Sequence, residues 1–230
     1  IFTNLKVFLY LVAMKTKKVN EVRKQIEYEY ARNAYPDGFP KIPDISGKRY
    51  TDKDFFDLEF EKIFLKSWLM VFRENEIPNP GDFKIFDKLQ RDILIVRQND
   101  YSIKAFYNTC SHRGAPVVRE KKGSTKLLKC QYHSWAYELD GSLLRVPDER
   151  DFLELDLSCR GLKNVHCDTW DGWIYVSLSK EDPGSLIDFL DPVASEMKCF
   201  NSSELITIWQ NSTIVKANWK TCLDAFMEVY

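Results

Sequence analysis

The spacing of apolar residues changes character along the chain, and each change predicts an element. Residues 17–33 are charged and helix-prone, and NAYPDGFPKIPDISG, 33–47, breaks that pattern with prolines and glycines. In YTDKDFFDLEFEKIFLKSW, Phe55, Leu58 and Ile63 repeat near a helical period, and Thr51 stands where an N-cap belongs. That spacing predicts one amphipathic helix laid on a core. From about Trp68 the texture becomes short β-rich runs, predicting strands at 83–89, 92–98, 102–109, 126–132, 135–139, 142–146, 164–170 and 173–179. Asn99-Asp100 and Asp140-Gly141 fall between such runs and signal hairpins. Short strands with frequent turns predict an antiparallel sandwich or small barrel. EDPGSLIDFLDPV, 181–193, then reads as a turn and short helix, and SELITIWQNSTIVKANW, 203–219, as a long β-prone run opening a second domain. NWKTCLDAFMEVY, 218–230, is helical in pattern. The fold class is mainly β with a helical N-terminal part.

Composition narrows the partners. The chain has 230 residues, is 44% hydrophobic and 29% charged, and carries a formal net charge of -1. That balance gives no electrostatic reason to expect nucleic acid or an anionic membrane as partner. The apolar run at residues 1–13 is shorter than the ~20 residues that span a bilayer. Its basic residues follow the run, unlike a secretory signal, and Met14 is the expected natural start. Cys159, Cys167, Cys199 and Cys222 are scattered in apolar surroundings, which predicts buried free thiols and a reduced, cytoplasmic protein.

The remaining cysteines lie differently. The chain has three histidines, and two of them fall in Cys110-x-His112 and Cys130-x-x-His133, with seventeen residues between the pairs. Composition alone would produce such a coincidence on the order of one time in several thousand, so a metal site is the better reading. Two thiolates and two imidazoles suit tetrahedral zinc, although zinc motifs usually group the cysteines together and the histidines together. One Cys and one His from each loop suits a two-iron cluster, each loop giving its thiolate to one iron and its imidazole to the other. His166, in a strand-like run before Cys167, reads as an ordinary core or surface histidine.

These motifs resemble the Rieske family. CSHRGA, 110–115, and CQYHSWAYELDGSLLRVP, 130–147, are similar to the alpha subunits of Rieske non-haem iron oxygenases, as are WDGWIYVSLSKEDPGSLIDFL, 170–190, and NWK, 218–220. Respiratory Rieske proteins carry an additional cysteine in each loop, where this chain has Ala115 and Tyr132. Ser134 stands where the oxygenases usually have glycine. The resemblance implies a 2Fe-2S cluster with Cys110 and Cys130 on one iron and His112 and His133 on the other. It divides the chain into an N-terminal extension (1–40), a helical lead-in (41–67), an antiparallel β Rieske domain (68–185) and the start of an α+β catalytic domain (186–230). The ligands of a mononuclear non-haem iron are then expected beyond Tyr230, so that the chain as given would bind its cluster without turning over substrate.

Lys220, Asp224 and Glu228 fall at helical spacing on one stripe, which read alone is a solvated face with a Lys–Asp pair. The resemblance makes Glu228 a carboxylate bridging the mononuclear site to His133 of a neighbouring copy, with Asp224 in support. It also implies an NAD(P)H-dependent reductase, with or without a ferredoxin, and a homotrimer or an alpha-beta hetero-hexamer. The reaction would be O2-dependent hydroxylation or demethylation of a small organic molecule, an aromatic one foremost. A stand-alone Rieske electron carrier and a zinc-stabilised interaction module are the alternatives.

Overall fold

The computed structural model describes residues 16–36, 38–41, 43–152, 154 and 156–227. Two compact units divide at Gly47. The first contains helix α1 (Thr16–Ala31), whose side chains from Lys18 on are almost all exposed, followed by the irregular proline- and glycine-rich stretch. The second, from Lys48, contains everything else.

It opens with α2 (Lys48–Thr51) and α3 (Lys53–Glu59), which runs into a π turn at Phe60–Phe64. The cap is Asp52, whose carboxylate accepts from the backbone of Asp54 and Phe55, and not the predicted Thr51. Nor does the predicted apolar face go under: Leu58 and Ile63 are exposed, while Glu59 is buried. The reason lies in helix α6 (Trp219–Met227) at the other end of the chain. The Trp219 indole donates to Glu59 at 3.1 Å, and Lys220 Nζ lies 2.6 Å from the same carboxylate. A carboxylate at that depth is stable only with such partners.

Ten antiparallel strands follow. They are β1 (Leu69–Arg73), β2 (Asp82–Phe86), β3 (Ile93–Arg97), β4 (Ile103–Tyr107), β5 (Lys122–Ser124), β6 (Leu128–Lys129), β7 (Ala136–Tyr137), β8 (Leu143–Arg145), β9 (Asn164–Trp170) and β10 (Trp173–Ser177). Seven form one sheet in the order β1-β10-β9-β4-β3-β2-β5, and β6-β7-β8 form a small second sheet. Strand β3 shows how the core is divided. Leu94 and Val96 point into one cluster with Phe83, Phe106, Cys110, Cys130 and Tyr137, and Ile93 and Ile95 into another with Phe72, Ile174 and Val176. All four β3 residues are fully buried, which an unbroken apolar run in a strand covered on both faces explains.

Both predicted hairpins form. Between β7 and β8, Gly141 has a φ of 86°, and a Cβ there would lie 2.4 Å from the Phe106 ring, so the turn admits only glycine. Strands β1 and β5 have no counterpart in the sequence reading. β5 is Lys-Gly-Ser, wholly exposed at the sheet edge, and such short polar edges carry no period.

After β10, α4 (Leu186–Leu190) is capped by Ser185, and α5 (Val193–Met197) follows. Asp171 accepts from the backbone of Ser202 and Ser203 at 2.7 and 2.9 Å, and Arg73 donates to the Leu205 carbonyl at 2.8 Å, clamping this stretch to the β9–β10 turn and to the end of β1. Past the clamp, the β-prone run does not become a strand. Residues 206–215 are exposed and join no sheet among the described residues, although 207–210 lie near Lys84 of β2 and Lys122 of β5. No helix of the described residues is long and apolar enough to cross a membrane.

Candidate metal centre

Two loops carry the site. The first leaves β4 at Tyr107, and the second joins β6 to β7, so each begins at the end of a strand anchored in the same core. They are built alike. The Cys110 amide donates to the Ala115 carbonyl at 2.8 Å, and the Gly114 amide to the Cys110 carbonyl at 2.9 Å. In the second loop the Cys130 amide donates to the Trp135 carbonyl at 2.9 Å, and the Ser134 amide to the Cys130 carbonyl at 2.9 Å. Each turn requires a left-handed residue four places after its cysteine: Gly114 at φ 74°, Ser134 at φ 61°. Glycine adopts that conformation without penalty and serine does not. The geometry therefore explains why glycine is the usual residue at the place of Ser134.

The frame sorts the side chains by kind. Cys110 and Cys130 are buried, His112 is half-buried and His133 exposed. The two imidazole rings lie 4.7 Å apart, edge to face, and His112 stacks flat on the buried Trp135 at 4.9 Å. Tyr132 covers His133 at 3.8 Å between ring centres. Among the described residues no three His, Cys, Asp or Glu side chains converge on a single ion. A lone tetrahedral ion needs four donors about one centre, whereas a two-iron cluster takes a thiolate pair on one iron and an imidazole pair on the other.

The electrostatics suit such a group. Burial raises the Cys110 thiol above its ordinary value, opposed by the hydrogen bond from Tyr137 and reinforced by the nearby Cys130. Buried neighbouring thiols become thiolates when a cation compensates them. Desolvation, helped by His133 and Arg113, lowers His112 and favours the neutral imidazole that ligates metals.

Tyr137, fully buried, closes the site from below. Its hydroxyl accepts the Ser111 amide at 3.1 Å and lies 3.1 Å from Cys110 Sγ, so with a thiolate there the hydroxyl is the donor. Burial, with the Cys110 contact, raises the phenol well above its ordinary value and keeps it protonated. Asn108 ties the first loop shut. Its side-chain oxygen accepts from Val117 and Val118 at 3.0 Å each, and its amide donates to the Val118 carbonyl at 2.8 Å. Sequence reading missed Asn108, Trp135 and Tyr137 as site residues. The one available signal was a polar Asn at the end of an apolar strand.

The other predicted residues lie elsewhere. Asp224 accepts a hydrogen bond from Tyr50 at 3.2 Å, and Lys220 goes to Glu59, so the predicted Lys–Asp pair along α6 does not form. Glu228 lies outside the described residues. His166 is exposed on β9, as expected of a histidine outside the site. All six cysteines are free; Cys167 is half-buried against the second core cluster, while Cys159 and Cys199 are exposed and Cys222 is half-buried, so none of the four is buried as predicted. Cys159 and Cys199 sit in short turns and Cys222 in the C-terminal helix, away from the core clusters.

Residues 67–166 match the family described as the Rieske [2Fe-2S] domain. That stretch is thus a Rieske domain, and the chain's relatives include an oxygenase subunit and large oxygenase components. It is 33% identical, over 79% of its length and 42% of the relative's, to the glycine betaine monooxygenase oxygenase subunit of Pseudomonas aeruginosa. It is 36% identical, over 76% of its length, to the large oxygenase component of a naphthalene 1,2-dioxygenase system from the same species, covering 40% of it. Among solved structures, the apo quaternary ammonium Rieske monooxygenase CntA aligns with a TM-score of 0.76 at 26% identity, over 83% of this chain and 59% of that one. Naphthalene 1,2-dioxygenase from Rhodococcus sp. aligns with a TM-score of 0.60 at 31% identity, over 65% of this chain and 34% of that one. The chain spans about four-tenths of the length of these curated relatives.

Proposed function

We propose that this chain is the electron-storing part of a Rieske oxygenase large subunit. Cys110 and Cys130 hold one iron of the cluster, and His112 and His133 hold the other. The observation that supports this is the shared frame of the two loops, which sets thiol beside thiol and imidazole beside imidazole. When bound, the cluster supplies reversible one-electron storage, with a potential raised by the neutral imidazoles.

The chain's own residues tune and direct that storage. Tyr137 donates a hydrogen bond to Cys110 Sγ and so favours the reduced state, in which the sulfur carries more negative charge. Trp135 fixes the plane of the His112 ring, and the burial of both cysteines keeps water from the sulfurs. Exposed His133 presents its ring at the surface, where an electron leaves.

In the whole enzyme, electrons come from NAD(P)H through a reductase, directly or by way of a ferredoxin. They pass to a mononuclear non-haem iron held outside these 230 residues, for O2-dependent hydroxylation or demethylation of a small organic substrate. Relatives named for glycine betaine and for naphthalene leave both quaternary amines and aromatic rings as candidate substrates. Residues 186–230 begin the catalytic domain, and the Glu59 contacts with Trp219 and Lys220 seat its first helix on the lead-in. Glu228 bridges to His133 of a neighbouring copy in a homotrimer or alpha-beta hetero-hexamer, and Asp224 steadies the helix that carries it. The compartment on this reading is the cytoplasm, where free thiols persist.

The test is metal and sulfide analysis of the purified chain. Brown-red protein with equal iron and sulfide, bleached by His112→Ala with His133→Ala, is expected. Colourless, zinc-bearing protein would overturn the reading. Substrate-dependent turnover by these 230 residues alone would contradict the division of labour.

A further inference from the structure

Beside the metal centre the surface departs from the chain's charge balance. A groove of about 670 Å³ runs along the side of the sheet. Lys62 and Lys66 reach it from the end of the helical lead-in, Arg91 from the β2–β3 connection, Lys163 from the start of β9, and Lys180 from beyond β10. All five are exposed, and among the described residues none makes an ion pair. The acids on its walls are Glu61 and Glu181. Over the whole chain 33 basic residues meet 34 acidic ones, so five unpaired cations against two carboxylates is a local excess.

The groove leads to the metal centre. A second depression of about 410 Å³ shares Arg91, Tyr107 and Lys163 with it, and its remaining walls are Thr109, Cys110 and Ser111. Lys163 Nζ stands 5.4 Å from the centre of the Tyr107 ring. His166 lies on the groove wall, but neither His112 nor His133 lines either depression, so the cationic surface ends at the thiol side of the first loop.

We infer that this groove is the docking surface for the acidic one-electron donor protein that reduces the cluster, a deepening that rests on the function proposed above. The spread of the cations points to a protein and away from a small anion. They project from separate elements, exposed and along an open groove, where a small anion would need donors converging on one buried point. Complementary charge of this kind raises encounter rates and orients the partner more than it tightens the complex. Docking here brings the donor to Cys110 and leaves the exposed His133 free for the outgoing electron.

The test uses the full chain and an immobilised acidic 2Fe-2S ferredoxin, with association rates measured from low to high salt. Charge reversal of Lys62, Lys66 and Lys163 to Glu should slow association about 10- to 100-fold at low salt and flatten the salt dependence. Reversal of Lys18, Arg23 and Lys24, the same change in net charge elsewhere, should leave it within about twofold. Equal slowing by both triples, or none by the groove triple, would overturn the inference. So would loss of self-association by the groove triple with ferredoxin binding unchanged, which would make this face a contact between copies. Dithionite reduction, followed by cluster absorbance, separates the two claims. A chain without a cluster to bleach sinks the proposed function, while the association rates still report on the groove.

Discussion

The two metal-binding loops share one backbone plan and differ in what surrounds each sulfur. Cys110 receives the Tyr137 hydroxyl at 3.1 Å. Cys130 has the Pro116 carbonyl at 3.8 Å and the Cys110 sulfur beside it, but among the described residues no hydroxyl donates to it, and a carbonyl gives a thiolate no hydrogen bond. The first loop meets its backbone requirement with Gly114, and the second forces Ser134 into the same conformation. One loop is thus relaxed and electronically supported, and the other strained and electronically bare. A shared hydrogen-bond frame can place a cluster without making its two sides equivalent.

The largest effect expected is common to both loops. Cys110→Ala or Cys130→Ala should each abolish the brown-red colour and the iron content, since neither loop supplies a spare thiol. Retention of a full cluster in either variant would break the assignment.

The loops should then separate on potential. Tyr137→Phe removes the hydroxyl aimed at Cys110 Sγ. A hydrogen bond worth about 1 kcal/mol corresponds to a fall of roughly 40 mV for a one-electron couple, measurable by spectroelectrochemistry. Tyr132→Phe, next to the second loop's histidine but with its ring exposed, should move the potential much less. Equal shifts would erase the electronic asymmetry.

Backbone substitutions should act with opposite signs. Gly114→Ala meets no atom closer than 4.0 Å and so isolates the conformational cost of about 1 kcal/mol. Ser134→Gly should stabilise by about 0.5 to 1 kcal/mol. Each kcal/mol moves Tm by about 2–4 °C in a chain of this size, so thermal melting of the two variants should diverge in opposite directions. A destabilised Ser134→Gly would show that the serine makes a contact that outweighs its strain.

Cys167 gives the smallest effect and sharpens the contrast from outside the site. Burial, with Asp168 and Glu74 nearby, pushes its thiol up to about 12. The unfolded thiol ionises near about 8.5, so between these values the unfolded chain has lost a proton that the folded one retains. Stability contributed by this half-buried thiol is therefore complete below that window and falls as pH rises through it. Cys167→Ala should make the alkaline limb of the stability profile shallower, as followed by urea melts at several pH values. Cluster-bound Cys110 and Cys130 should add no such limb, because iron already holds them as thiolates.

The sequence made some of this legible and left other parts hidden, for physical reasons. β9 was read at 164–170 without error because its run is long and bounded by turns. Strands β3 and β4 were read to within two residues at each end, since apolar content falls off sharply there. The Cys/His pairs stood out because chemistry fixes their spacing. Asn108 and Tyr137 were hidden because their roles depend on which strands meet, and β7 reaches Cys110 only through the fold. Residues 203–219 misled because β propensity describes fitness for a sheet and does not by itself bring a strand into register with a partner. Leu58 and Ile63 misled in the same way: the helix buried Glu59 instead, through partners 160 residues away.

The central claim is that these loops hold a two-iron cluster with one iron bound by two histidines. Pulsed EPR of the reduced chain, grown with 15N-histidine, addresses it directly. The account predicts couplings to two histidine nitrogens that survive His166→Ala and disappear with the His112→Ala, His133→Ala pair. A reduced signal without histidine coupling, or no signal from a chain that holds zinc, would contradict it.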